Sequence, residues 1–209
     1  MPAQALKRSP YITSEEYLAR ERAADYKSEY FDGEIFAMAG ALEPHNLIAA
    51  NVLAKLHAQL ELRPCRVYPS DMRLKVSATG LYTYPDVVVV CGEPQFDDDE
   101  EFDTLLNPTL IVEVLSKSTE NHDRTTKFEH YSKLKSLQEY LLVAQSRPRV
   151  ELFTKQSEGC WILAVFENLE DVVKLASIDC ELALKNIYAK VEFKGEPGAG
   201  LRPQLIKPR

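Results

Sequence analysis

Two short apolar runs, each carrying one carboxylate, limit the folds open to this chain more than any other feature. Residues 110–115 read Leu-Ile-Val-Glu-Val-Leu, in which Glu113 is the only polar side chain. Residues 85–90 read Pro-Asp-Val-Val-Val-Val, with Asp86 at the leading edge. Continuous apolar runs of this length are typical of strands that are buried on both faces of a sheet. Other layers must therefore cover both faces of that sheet.

The rest of the sequence supplies elements for those layers. An N-terminal helix is predicted from Ser14, its N-cap, to about residue 22, and the Asp32-Gly33 turn predicts a hairpin over 26–38. Further helices are predicted at 45–62, 123–135 and 181–188. Residues 66–76 are predicted to form one strand or two short ones, and further strands are predicted at 139–144, 149–154, 161–166 and 171–175. This order predicts an α/β (α+β) fold, with a mixed sheet flanked by helices.

The predicted domain covers residues 14–192. Residues 1–13 are expected to be an N-terminal extension, and the Pro/Gly-rich, basic residues 193–209 a flexible tail. A chain of 209 residues is long enough to bury a substantial core.

Charge and composition exclude some classes of protein. The formal net charge of -7 argues against a protein that coats nucleic acid by neutralising phosphates, although an enzyme with a local basic site is compatible with it. The sequence shows no secretory signal and no apolar run near the ~18 residues that span a bilayer. We expect a cytoplasmic protein whose four cysteines are reduced and mostly packed.

The two carboxylates are predicted to converge. Alternation along a strand places Glu113 on the face of Ile111 and Leu115, and Asp86 on the face of Val88. If the strands are neighbours, the two carboxylates would repel each other unless a cation lies between them. Mg²⁺ suits such a site, because it often takes only one or two protein carboxylates and keeps several waters. Glu113 could instead pair with a buried arginine, and Asp86 could simply begin its strand.

Positive charge follows Glu113 in the sequence. Lys117 comes four residues later, and Arg124, Lys127 and Tyr131 recur at spacings that share one face of a helix. A cation from this segment could stabilise the charge that develops on a phosphodiester during hydrolysis.

Six strings, in order, carry a resemblance to a known family. They resemble the Uma-type family of restriction endonucleases, within the PD-(D/E)XK nuclease superfamily, from about residue 14 to residue 191. The strings are EYFDGEIFAMAG (29–40), SDMRLKV (70–76), TYPDVVVVCGE (83–93), LIVEVLSKST (110–119), HDRTTKFEHY (122–131) and SLQEYLLV (136–143).

The resemblance implies a restriction-endonuclease-like core with metal on Asp86 and Glu113. Leu115 stands where the superfamily's E-x-K motif has lysine, and the resemblance places that lysine at Lys127, with Lys117 as the competing candidate. It also implies that Asp71 contributes to the metal's outer shell.

Two residues keep open roles at this point. Glu29 is either a ligand or a residue that holds the hairpin, and His45 is either a helix cap or a site residue.

The expected function is that of an Mg²⁺-dependent endonuclease, with Mn²⁺ as a possible substitute, that hydrolyses DNA phosphodiester bonds as a homodimer. Asp86 and Glu113 would hold the metal, and Lys127 would stabilise charge or orient the attacking water. The alternative is a catalytically inactive protein of the same fold that binds nucleic acid or serves assembly, since fold does not guarantee function.

Overall fold

The computed structural model describes residues 11–97, 101, 103–157 and 159–193. Residues 1–10 and 194–209, which make up most of the predicted extension and tail, lie outside the described residues, as does part of the acidic loop at 97–103. No helix in the described ranges is both long and apolar enough to span a bilayer.

A six-stranded mixed sheet forms the centre of the fold, in the order β11-β10-β9-β8-β6-β3. A five-stranded sheet, β2-β1-β5-β4-β7, and a β12-β13 ribbon accompany it. The strands are β1 Ser28–Phe31, β2 Glu34–Ala37, β3 Cys65–Pro69, β4 Arg73–Val76, β5 Leu81–Thr83, β6 Val87–Cys91, β7 Thr104–Leu105, β8 Leu110–Leu115, β9 Glu139–Ala144, β10 Val150–Ser157, β11 Cys160–Phe166, β12 Val172–Leu175 and β13 Cys180–Ala183.

The helices are α1 Ser14–Ala23, α2 Glu43–Leu60, α3 Glu120–His122, α4 Phe128–Tyr131 and α5 Leu184–Ile187, and a π-helical segment, Asp123–Lys127, joins α3 to α4. Thr13, rather than the predicted Ser14, caps α1, since its side chain accepts from the N–H of Glu16 in a capping box. The helix predicted at 181–188 is also partly wrong, because residues 180–183 form β13 and only 184–187 are helical.

The central strands are buried on both faces, as their apolar runs predict. Along β8, Val112 and Val114 pack into one core with α2 and α5, while Ile111 and Leu115 pack into a second core with Tyr131. The prediction of a mixed sheet flanked by helices is confirmed. Glu113 therefore points into the second core, between two large apolar side chains of its own strand.

A disulfide corrects the expectation that all four cysteines are reduced. Cys65 and Cys91 stand opposite each other in the antiparallel β3–β6 ladder, with their Cα atoms 4.0 Å apart, and are bonded, whereas Cys160 and Cys180 are free. The expectation rested on the redox compartment and the sequence spacing of the cysteines, and neither shows which two cysteines stand opposite each other in a sheet.

Candidate active site

The pairing of β6 with β8 brings the two predicted carboxylates together. Val87 pairs with Val112 in this antiparallel ladder, so Asp86, one residue before β6, stands opposite Glu113. Asp86 Oδ2 accepts a hydrogen bond of 2.7 Å from the N–H of Val114. The backbone of β8 thus fixes the Asp86 carboxylate beside the residue that carries the second carboxylate.

Two side chains from the following helical segment hold Glu113. Lys127 Nζ lies 3.1 Å from Glu113 Oε1, and the Tyr131 hydroxyl donates to the same oxygen at 2.8 Å. Glu113 and Lys127 are buried, and Tyr131 has no exposed surface. Burial raises the pKa of Tyr131 well above its usual range, so its hydroxyl keeps the proton that it donates to Glu113.

Lys127 is surrounded by acidic side chains. Its Nζ lies 3.1 Å from Glu29 Oε1 and 3.5 Å from Asp123 Oδ1, in addition to the contact with Glu113. The Thr83 hydroxyl, on the strand that pairs with β1, donates to Glu29 Oε1 at 2.6 Å and orients it towards this ammonium. One buried ammonium therefore lies within 3.5 Å of three carboxyl groups. The acidic groups outnumber the ammonium, and this imbalance favours the binding of a further cation.

The π-helical segment places both Asp123 and Lys127 next to Glu113. Both residues are buried, whereas the residues between them are half-buried or exposed. The Tyr140 hydroxyl donates at 3.1 Å to the carbonyl of Asp123 and ties the segment to β9. Single π-helical turns inside helices are frequent at functional sites, so this irregularity is consistent with one here.

His45 reaches the site from the first turn of α2. Its Nε2 lies 3.2 Å from Asp86 Oδ2, and its Nδ1 is buried without a hydrogen-bond partner among the described residues. Of the two roles left open for His45, the structure thus brings it to Asp86 rather than to the helix end, where no side-chain cap is formed.

Burial dominates the electrostatics of Glu113. Loss of water raises the pKa of Glu113, the Lys127 ammonium opposes this rise, and Asp123 and Asp86 add to it. Burial alone would lower the pKa of Lys127, but attraction to its carboxylate neighbours, first among them Glu113, holds that pKa well above its ordinary value. Lys127 therefore stays charged, and the ionised form of Glu113 is disfavoured until another cation arrives.

Two of the predicted residues lie away from this cluster. Lys117 is exposed in the turn after β8 and forms no ion pair with the residues that the structure describes. Asp71 is exposed over 84% of its side chain and pairs with Lys27 at 2.9 Å. The geometry favours Lys127 over Lys117 as the neighbour of Glu113, and the roles of Lys117 and Asp71 remain predictions.

Arg124 corrects the expectation of a shared helix face. It pairs with Glu120 and with the buried Glu151 of β10, whereas Lys127 and Tyr131 reach Glu113. The expectation assumed a regular α-helix, but the π-helical segment adds a residue to the turn and changes which side chains share a face.

Sequence reasoning missed Asp123 and Thr83. The spacing of Asp123 and Lys127, four residues apart on a predicted helix, was a usable signal for an ion pair. Thr83 offered no such signal, because its contact with Glu29 depends on the pairing of β1 with β5.

The residues present fit a divalent cation that keeps water or substrate ligands. Within the described ranges, no group of three or more His, Cys, Asp and Glu side chains is arranged to hold a metal by itself. Glu113 and Asp86 use Oε1 and Oδ2 for their hydrogen bonds, and neither Oε2 nor Oδ1 is hydrogen-bonded within the described part of the chain. One or two carboxylates, with water or substrate as the remaining ligands, are the donor set that Mg²⁺ commonly accepts from a protein.

The fold matches that of a solved structure. A crystal structure described as that of "a putative nuclease belonging to DUF820", from Anabaena variabilis, superposes on the chain with a TM-score of 0.69 at 19% sequence identity. The superposition covers 85% of this chain and 97% of the other. At this level of identity the likeness shows a common fold only.

Sequence relatives define the family. Residues 14–185 match the Uma2 family model, described as "Putative restriction endonuclease". Two proteins of Synechocystis sp., both named as uncharacterized, are similar: sll1609 is 41% identical over 73% of this chain and 85% of its own length, and slr1290 is 36% identical over 88% and 95%. The chain belongs to the Uma2 family.

Proposed function

We propose that this protein is a divalent-metal-dependent endonuclease that hydrolyses DNA phosphodiester bonds in the cytoplasm, with Mg²⁺ as its cation and Mn²⁺ as a substitute. The observation that carries the proposal is the placement of Asp86 opposite Glu113, with Lys127 3.1 Å from the Glu113 carboxylate. Membership of a family described as restriction endonucleases supports it.

Asp86 and Glu113 would hold the cation through Oδ1 and Oε2, which make no hydrogen bond to the described residues. A bound divalent cation polarises a phosphoryl oxygen and supplies a nucleophilic water at neutral pH. The two carboxylates have a rigid support, because Glu113 lies within β8 and Asp86 directly precedes β6, at the end of the ladder that pairs these strands.

Neighbouring residues hold these two carboxylates in fixed orientations. Tyr131 and Lys127 both donate to Glu113 Oε1, which fixes the carboxyl group and directs Oε2 away from them. The Val114 N–H donates to Asp86 Oδ2 in the same way, and His45 Nε2 lies 3.2 Å from that oxygen. Partners of this kind orient metal ligands and tune their affinity for the metal.

Lys127 would contribute its charge next to the reacting phosphate. An ammonium has three N–H donors, and in this structure carboxyl groups of Glu29, Glu113 and Asp123 all lie within 3.5 Å of it. The amine thus remains protonated and in place, and its field reaches a phosphodiester that binds beside Glu113.

Plasmid nicking with Mg²⁺ or Mn²⁺ tests the proposal. Wild-type protein should convert supercoiled DNA to the open-circular form, and Glu113→Gln should reduce the rate by about a thousandfold or more, because the amide loses the charge that binds the cation. Glu129→Gln, an equivalent change at an exposed position on α4, should cut like wild type. Equal cleavage by wild type and Glu113→Gln would reject the assignment.

The second candidate function is nucleic-acid binding or assembly without catalysis. It is favoured by the crowding of Lys127, whose neighbours already include three carboxyl groups, and by Leu115, which fills the E-x-K lysine position with a buried apolar side chain. Retained DNA binding with no cleavage under either metal would support this second function.

A further inference from the structure

Residues 36–42 form an exposed segment without charge, which we call the apolar segment. They read Phe-Ala-Met-Ala-Gly-Ala-Leu, and each of them except the partly buried Met38 is exposed. Phe36 and Leu42, its two ends, are 49% and 71% exposed. Contiguous apolar patches on the surface of a soluble protein commonly mark sites that bind a ligand or a partner.

Both ends of the apolar segment border the candidate active site. Phe36 pairs with Glu29 in the antiparallel β1–β2 ladder, so the two side chains lie on the same face of that sheet. Glu29 Oε1 is 3.1 Å from Lys127 Nζ. At the other end, Leu42 is the N-cap of α2, whose first turn carries His45. The segment therefore follows the margin of the candidate site from β2 to α2.

Phe36 presents its ring on the side of the sheet that faces this site. Ile35, on the opposite face of β2, packs against the cluster of Tyr17, Tyr30 and Tyr82. Phe36 belongs to none of the core clusters formed by the described residues, since β2 is the edge strand of its sheet. Its ring is thus placed to receive a partner from outside the fold, one cross-strand pair away from Glu29.

The charges beside the apolar segment favour a base over a phosphate as the partner of Phe36. Glu34, two residues before Phe36, and Glu43, directly after the segment, are both exposed. Their carboxylates would repel a phosphate, whereas a nucleobase has no net charge and stacks on aromatic side chains whatever its sequence. The cation proposed at Asp86 and Glu113 would hold the phosphate instead.

We propose that Phe36 stacks on an unpaired base of the DNA substrate, next to the phosphodiester that is cut, so that the site prefers single-stranded or unwound DNA to an intact duplex. This inference rests on the proposed function, because it takes DNA as the substrate of the site. In an intact duplex the ring faces of each base are covered by its neighbours, and a base must leave the stack, at a cost in free energy, before a side chain can stack on it.

Fluorescence anisotropy with labelled DNA tests the stacking. Three probes of equal length are compared in Ca²⁺, which takes oxygen ligands as Mg²⁺ does: a single strand, its duplex, and a single strand of abasic nucleotides. Wild type should bind the first at least about tenfold more tightly than either of the others, a factor typical of one base stacked on an aromatic side chain. Phe36→Ala should lose this preference, and Phe36→Tyr, which keeps the ring, should retain it.

Ile162→Ala is the matched control, because Ile162 is 55% exposed on β11, at one end of the central sheet. It should keep the preference of wild type. Each preference compares two probes on the same protein, so a loss of folded protein would leave the ratio of affinities unchanged.

The proposal is overturned if wild type binds none of the probes, if it binds the abasic strand or the duplex as tightly as the single strand, or if Phe36→Ala keeps the preference. A wild-type dimer that Phe36→Ala converts to a monomer in sedimentation velocity would also overturn it, since the apolar segment would then contact a second copy of the chain. Plasmid nicking without a preference for bases would remove the stacking alone. A preference for bases without nicking would remove the catalytic proposal alone.

Discussion

At the scale of single residues, Lys127 is the central contact of the candidate site. It is buried, and it is the ammonium that lies within 3.5 Å of Glu113, Glu29 and Asp123. Removing one partner from a buried ion pair is costly, because the remaining charges lose both water and compensation. Lys127 therefore has a structural role that can be measured apart from any catalytic one.

Lys127→Met should lower the free energy of unfolding by about 3 kcal/mol, since it leaves three buried or half-buried carboxyl groups without their ammonium. Urea unfolding followed by circular dichroism measures the change. Lys133→Met removes an exposed lysine two residues after α4 and should change the stability by no more than about 0.5 kcal/mol. Similar stabilities for the two variants would show that the contacts around Lys127 contribute little.

His45 contacts the candidate site through Asp86. His45→Ala removes the contact of 3.2 Å to Asp86 Oδ2 and should raise the Mn²⁺ concentration for half-maximal nicking by about tenfold, because partners of metal ligands typically contribute 10- to 100-fold to affinity. The rate at saturating Mn²⁺ should stay close to that of wild type. His57→Ala, at an exposed position of the same helix, is the control. An unchanged metal requirement in His45→Ala would remove His45 from the site.

At the scale of elements, the faces of the strands could be predicted from the sequence, but the pairing of one strand with another could not. Apolar runs and alternation predicted that β6 and β8 are buried and that Glu113 lies on the face of Ile111, because these properties depend on local periodicity. Residues 66–76, predicted as one strand or two, form β3 and β4, which belong to different sheets. That division depends on which strands pair over long range, and so does the contact of Glu29 with Lys127. Local patterns in a single sequence do not identify such pairs.

The π-helical segment and the disulfide were unpredictable for related reasons. The 3.6-residue periodicity used to predict the helix at 123–135 assumes a regular α-helix, whereas the chain runs as a π-helix over Asp123–Lys127. The Cys65–Cys91 bond requires knowledge that β3 is the partner of β6. Neither feature follows from the local periodicity of the sequence.

The disulfide should stabilise the edge strand β3 against β6. It closes a loop with a sequence separation of 26, for which chain entropy gives a stabilisation of about 3.5 kcal/mol. Dithiothreitol should therefore lower the urea midpoint of wild type and of Cys160→Ser, in which the bonded pair is unchanged. It should have no effect on the double variant Cys65→Ser/Cys91→Ser. Identical midpoints for wild type with and without reductant would contradict this expectation.

At the scale of the whole molecule, the candidate site lies where separate layers of the fold meet. Asp86 and Glu113 come from the central sheet, Glu29 from the five-stranded sheet, Lys127 from the segment between α3 and α4, and His45 from α2. A cation bound there would stabilise the folded chain as a whole. At a concentration of 100 times its dissociation constant, a ligand that binds only the folded state adds about 2.7 kcal/mol.

Calorimetric titration with Mn²⁺ tests the central claim most directly, namely that Asp86 and Glu113 together hold a divalent cation. We predict one bound Mn²⁺ per chain in wild type and in the exposed control Glu129→Gln, and an affinity at least about tenfold weaker in Asp86→Asn and in Glu113→Gln, since each loses a charged oxygen ligand. Equal Mn²⁺ affinity in all four proteins, or no binding to wild type, would contradict the assignment of this site.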